Sequence, residues 1–190
     1  MKDIVKLIAI TCLGLFIVII GYPVLHELGH SSVAMIVGAE VLEFNLFPLP
    51  SVLCNISGVS PFRSAMIGAG GMLLPFSFSI LIYSKHFWLW YIGLIMNIIC
   101  MISFVISIIG CVAFLNSAPI KNEDITSILN VYPNSVYLWI MGFLFVIAYS
   151  VFCIFKSSPM KTCMKYFDYK SYHTCYSILS FIILYYRLTQ

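Results

Sequence analysis

Long apolar runs separated by short polar breaks divide this chain. Residues 7–37, 64–84, 87–115 and 135–155 are apolar almost throughout. At about 1.5 Å per residue, each run can cross the ~30 Å hydrocarbon layer of a bilayer. A further run, 172–186, is short, rich in tyrosine and carries His173. It suits either a fifth span or a segment lying at headgroup level. Between the first two spans the pattern changes. Residues 39–47 alternate as a strand does, Pro48-Leu-Pro50 interrupts them, and 52–59 predict a second strand. The pattern predicts an all-α integral membrane protein, a single domain over residues 1–190. It has four or five transmembrane helices and a short β-hairpin-like loop within 39–63, after the first span.

Breaks inside the runs refine this plan. Pro23 frees the carbonyl of Ile19 and predicts a kink one turn before His26. Gly38 ends the first span. Gly68-Ala-Gly-Gly71 opens the second span with small residues that allow another helix to approach closely, and Pro75 predicts a second kink. Asn97 is an isolated polar residue in the third span, where a hydrogen bond between helices accounts for it. Between the third and fourth spans, Asn122 is placed to cap a short helix beginning at Glu123-Asp124. Acids in a first turn are favoured there by the helix dipole, which accounts for both residues. Glu40 and Glu43 read as solvated strand charges, and the sequon Asn55-Ile-Ser57 as a chance triplet. The charged start Met1–Lys6 runs into an apolar stretch without a small-x-small cleavage site, and so reads as part of a retained first span.

Composition supports the membrane assignment. Of 190 residues, 62% are hydrophobic and 9% charged, with mean hydropathy +1.03. Such a surface faces lipid. The net charge of +3 is too small and too dispersed for a nucleic-acid footprint. It serves as a topology signal. With five spans, Lys2, Lys6, Lys85, Lys156, Lys161, Lys165 and Lys170 fall on one side, and Arg63, Lys121 and Arg187 on the other. The basic side is cytoplasmic, and so is the N-terminus. The seven cysteines form no C-x-x-C pair and sit mostly in apolar runs, where they act as small packing residues.

The chemistry lies at the end of the first span, in Gly21-Tyr-Pro-Val-Leu-His-Glu-Leu-Gly-His30. His26 and His30 stand at i and i+4 on one helix face and can hold one zinc ion together. Glu27 beside them is placed to take a proton from an attacking water. The bland alternative is two neutral interfacial histidines and a glutamate facing headgroups. It must absorb three ionisable groups within five residues of an apolar helix, and a charged group near the bilayer centre costs a few kcal/mol unless partnered. The charge count puts this motif toward the non-cytoplasmic side. The loop bearing Glu123 and Asp124 falls on that same side. His86 and Asp168 fall on the opposite side, away from the motif.

Tyr22-Pro-Val-Leu-His-Glu-Leu-Gly-His30 in a first span resembles the signature of the site-2 protease family, the intramembrane zinc metalloproteases. Gly38-Ala-Glu-Val-Leu-Glu-Phe44 resembles the stretch directly after that signature in the family, and Gly68-Ala-Gly-Gly71 is similar to the family's glycine-rich patch. The resemblance implies a helical membrane core that cleaves membrane-protein or peptide substrates in or near the bilayer. It also implies one Zn2+ per chain and a third ligand, an aspartate near a later span in an N-x-x-P-x-x-x-L-D-G context. By position that role falls on Asp124, although this chain reads Pro119-Ile-Lys-Asn-Glu-Asp124-Ile and lacks L-D-G. Glu123 and His173 are the other donors available. Two rivals remain. One is a catalytically inactive membrane protein that uses the same metal site for structure, binding or zinc handling. The other is a prenyl-protein-type membrane zinc protease, which needs a later glutamate ligand; Glu123 is the only glutamate after residue 43.

Overall fold

The computed structural model describes residues 2–120 and 124–157. Asn122, Glu123, His173, Asp168 and the run 172–186 lie outside the described residues. Four helices are long and apolar enough to cross a membrane, and a two-stranded sheet comes after the first of them. The protein is an all-α membrane protein with a short hairpin.

The first span is built in three pieces: α1 (Lys2–Phe16), a π-helical segment (Ile17–Gly21) and α2 (Tyr22–Ile36). The disturbance expected from Pro23 lies in the π segment just before it. Pro23 has no N–H for the Ile19 carbonyl, and the Tyr22 N–H bonds instead to the Ile17 carbonyl, five residues back. A π segment widens the turn. It therefore rotates everything downstream, the histidines included, relative to the phase α1 would have set.

Beyond α2, Gly38 takes φ +81°, a left-handed conformation suited to glycine, and turns the chain out of the helix. Strands β1 (Glu40–Asn45) and β2 (Ser51–Asn55) pair antiparallel, with an irregularity between Val41 and Glu43. Val41 and Cys54 point to one face. There they join Ala34, Ala39 and Ile67 in an apolar cluster that fastens the hairpin to α2 and α3. Helix α3 (Pro61–Phe78) begins earlier than the apolar run suggested. The Ser60 hydroxyl accepts from the Arg63 N–H and caps it, and Pro61 sits in the first turn. After Pro75 the helix tightens into a 3₁₀ segment, Ser79–Tyr83.

Helix α4 (Phe87–Leu115) has the bounds the apolar run gave. It is followed by α5 (Asp124–Val131), a 3₁₀ turn (Pro133–Ser135) and α6 (Val136–Lys156). The short α5 is amphipathic. Its Ile125, Ile128 and Leu129 are buried in the main core with Met72, Cys100 and Phe104, so it packs into the bundle and does not lie on its surface. Helices α4 and α6 run antiparallel in seven-residue steps. The Trp90 indole N–H donates to the Ser157 hydroxyl at 3.2 Å, and Phe104 stacks on Phe143 at 5.5 Å. The same steps put Asn97 level with Ser150. Both are buried, and neither Asn97 Oδ1 nor Ser150 Oγ has a hydrogen-bond partner. Among the described residues the interhelical bond expected for Asn97 is therefore not formed, but Ser150, level with it, is a polar group that could form one.

Candidate metal centre

The site forms where α2, α3 and α5 meet. Helices α2 and α3 approach backbone to backbone. A Cβ on Gly70 would lie 2.6 Å from the Gly29 carbonyl oxygen and 2.7 Å from Val33. One residue further, Gly71 lies under the two imidazoles, and a Cβ there would overlap His30 and come within 2.9 Å of His26 Cε1. The glycine patch read from the sequence as a packing surface thus makes the space in which the histidines stand.

That crossing also orients His30. Its Nδ1–H donates to the Ile67 carbonyl at 2.7 Å in the interior. A carbonyl can only accept, so the ring proton is on Nδ1 and Nε2 faces the site. His30 is buried, and His26 is half-buried, with its Nδ1 lacking a partner. The two Nε2 atoms are 3.2 Å apart. Asp124, at the start of α5, completes the group. Its Oδ2 is 3.0 Å from His26 Nε2, and its Oδ1 is 3.3 Å from His30 Nε2.

Burial pushes the Asp124 carboxyl up, but hydrogen bonds from His26 and His30 and their charge hold it well below the usual carboxylate range. His30 can donate from Nδ1 to Ile67 and from Nε2 to Asp124 only when both ring nitrogens carry protons; as the neutral Nδ1–H tautomer it turns the Nε2 lone pair toward the carboxyl, the arrangement that a cation between them would satisfy. The three donor atoms lie within 4.8 Å of one another and can hold a metal ion. The donor chemistry and the spacing both fit one.

Glu27 projects beside this group into a cavity of about 820 Å³, also lined by Tyr22, His26, His30 and Asp124. Among the described residues it makes no hydrogen bond or ion pair, so its carboxylate is available to a bound molecule. Strand β2 brings Ser51, Val52 and Cys54 to the same cavity, and α4 brings Ile99, Ile102, Ser103 and Ile106. Cys54 remains a thiol. Burial raises its pKa, and the nearby charge of Glu27 adds to the effect, which makes it a poor nucleophile.

Of the residues nominated from sequence, His26, Glu27, His30 and Asp124 meet here. Lys85-His86 leads into α4 at the far end of the 3₁₀ segment and lines no part of the cavity. The Ile67 carbonyl, the space at Gly71 and the α4 wall were not legible in the sequence. A backbone carbonyl has no residue-type signature, and an isoleucine stripe in an apolar helix looks the same whether it faces lipid or a cavity. No protein-family model, curated protein or solved structure matches the chain.

Proposed function

We propose that this protein is an intramembrane zinc metallopeptidase resembling the site-2 proteases, hydrolysing peptide bonds of membrane-protein segments within or near the bilayer. The convergence of His26, His30 and Asp124 carries the reading. Two ligand atoms each about 2.0–2.1 Å from a tetrahedral zinc lie roughly 3.3–3.4 Å apart. The imidazole nitrogens are 3.2 Å apart, and each lies within a few tenths of an ångström of that spacing from one oxygen of Asp124, His26 at 3.0 Å from Oδ2 and His30 at 3.3 Å from Oδ1. Two histidines and a carboxylate are a catalytic donor set, which leaves one position open. When bound, zinc supplies a Lewis acid that acidifies water and polarises a carbonyl.

The rest is done by this chain's own residues. The Ile67 carbonyl holds His30 in its working tautomer, and Asp124 anchors the centre from α5. Glu27 takes the proton of the attacking water and passes it to the leaving amine. A helical substrate hides its peptide groups, so the reacting segment must be extended. Strand β2 borders the cavity, and its outer edge gives such a segment a partner. By the charge count the N-terminus is cytoplasmic and the centre faces the other side; a tag at residue 1 protected from external protease in sealed spheroplasts supports this, and a cleaved tag reverses it.

Glu27→Gln tests the function. Turnover of a fluorogenic apolar peptide should fall roughly 10²–10⁴-fold, the usual worth of a general base, while zinc content stays at that of the wild type. Equal turnover in the two proteins would make the centre a scaffold or zinc-handling site. In the same assay, proline at Val52 or at Leu53 removes an N–H from opposite edges of β2. Cleavage should fall with zinc retained, and unchanged cleavage in both variants removes the strand from the mechanism.

A further inference from the structure

One wall of the cavity has no part in metal binding or proton transfer. Ile99, Ile102, Ser103 and Ile106 line the cavity at i, i+3, i+4 and i+7, a single face of α4. Ser107, one turn beyond Ser103, is buried and donates to the Met72 sulfur at 3.8 Å. Ser103 is only half-buried, and its hydroxyl has no hydrogen-bond partner among the described residues. A serine in an apolar helix commonly bonds back to the carbonyl one turn earlier, which leaves it nothing for a ligand. Ser103 does not. It therefore presents a donor and an acceptor to the cavity from between isoleucines. Among the described residues, the cavity's acidic groups, Glu27 and Asp124, are both at the metal centre, and no lysine or arginine lines it.

We propose that this α4 face is a substrate subsite. The Ser103 hydroxyl bonds the main chain of the extended segment on the edge not taken by β2, and Ile99, Ile102 and Ile106 receive its apolar side chains. The substrate class is set by the lining. Segments rich in uncharged aliphatic residues fit, because a charged side chain would lose its hydration there without gaining a partner. Ser103 is a positioning residue, since it holds the backbone and touches neither the metal nor the transferred proton. The proposal rests on the metallopeptidase reading, and its test separates the two.

The test uses the zinc-loaded full chain in detergent and two probes. Acetohydroxamate reaches only a metal, whereas an N-acyl-Leu-Leu hydroxamate also extends along the cavity. Ser103→Ala should weaken the peptide probe roughly three- to tenfold, the worth of one hydrogen bond, and leave acetohydroxamate affinity and zinc content unchanged. Ser103→Thr keeps the hydroxyl and should restore peptide-probe binding. A peptide probe with aspartate in place of leucine should bind wild type more weakly than the leucine probe. If Ser103→Ala binds the leucine probe as wild type does, the subsite is overturned and the metallopeptidase reading stands. If wild type fails to bind acetohydroxamate, the metallopeptidase reading fails and the subsite with it.

Discussion

Alanine at His26, His30 or Asp124 should each remove the metal from the purified protein. Losing even an outer-shell partner of a metal ligand costs about 10–100-fold in affinity, so losing a ligand itself should exceed that. Elemental analysis of wild type should give about one zinc per chain, and the three variants, dialysed in parallel, close to none. Asp124→Ala is the most informative. The histidines are one turn apart on α2, and any helix with this spacing can present such a pair. The aspartate arrives from α5, nearly a hundred residues on, and meets them at 3.0 and 3.3 Å. If Asp124→Ala retains full zinc while both histidine variants lose it, the third ligand is another residue. A wild type that holds no zinc under any loading condition would overturn the centre itself.

Substitutions along the glycine patch should have graded effects, set by what each new methyl group meets. Alanine in place of a helical glycine adds up to about 1 kcal/mol of intrinsic helix preference. At Gly68 the new Cβ would come to 3.2 Å from the Ile128 side chain, which can shift, so Gly68→Ala should fold and keep its metal. At Gly70 the methyl would meet the Gly29 backbone, which cannot shift without separating α2 from α3. Overpacking of this kind costs about 1–3 kcal/mol or more and outweighs the propensity gain, so Gly70→Ala should lower the melting temperature. At Gly71 the obstacles are the imidazoles of His30 and His26, which can rotate. Gly71→Ala should therefore lose zinc and unfold near the temperature of the metal-free wild type. Thermal unfolding and metal content, read together on the three variants, check the order. Full metal retention by Gly71→Ala would mean that the histidines have room the close contact denies.

Parts of this arrangement were legible in the sequence for simple reasons. A bilayer rewards apolar length, so the runs at 87–115 and 135–155 gave α4 and α6 almost to the residue. Alternation and the two prolines gave the hairpin. The span containing Pro23 was expected to be irregular, but the form of the irregularity was not: the π segment depends on how the freed backbone groups find new partners. For α5, the first-turn acids predicted a helix, and solvated capping was a sufficient account of them. That account leaves out the other face of the helix. Ile125, Ile128 and Leu129 draw α5 into the core and carry Asp124 inward with it.

The sequence alone determined that the chain spans a membrane, and where its spans and hairpin lie. It also placed His26, Glu27 and His30 together on one stretch of helix. These features come from local periodicity, which a chain expresses without knowing its neighbours. The tertiary structure decided the rest. It brings Asp124 to the histidines, turns His30 through the Ile67 carbonyl, leaves room at Gly71, and sets β2 and the Ser103 face of α4 around the cavity. Each of these depends on contacts between residues far apart in the chain. Sequence spacing carries no record of such distances, because helix crossing and packing set them.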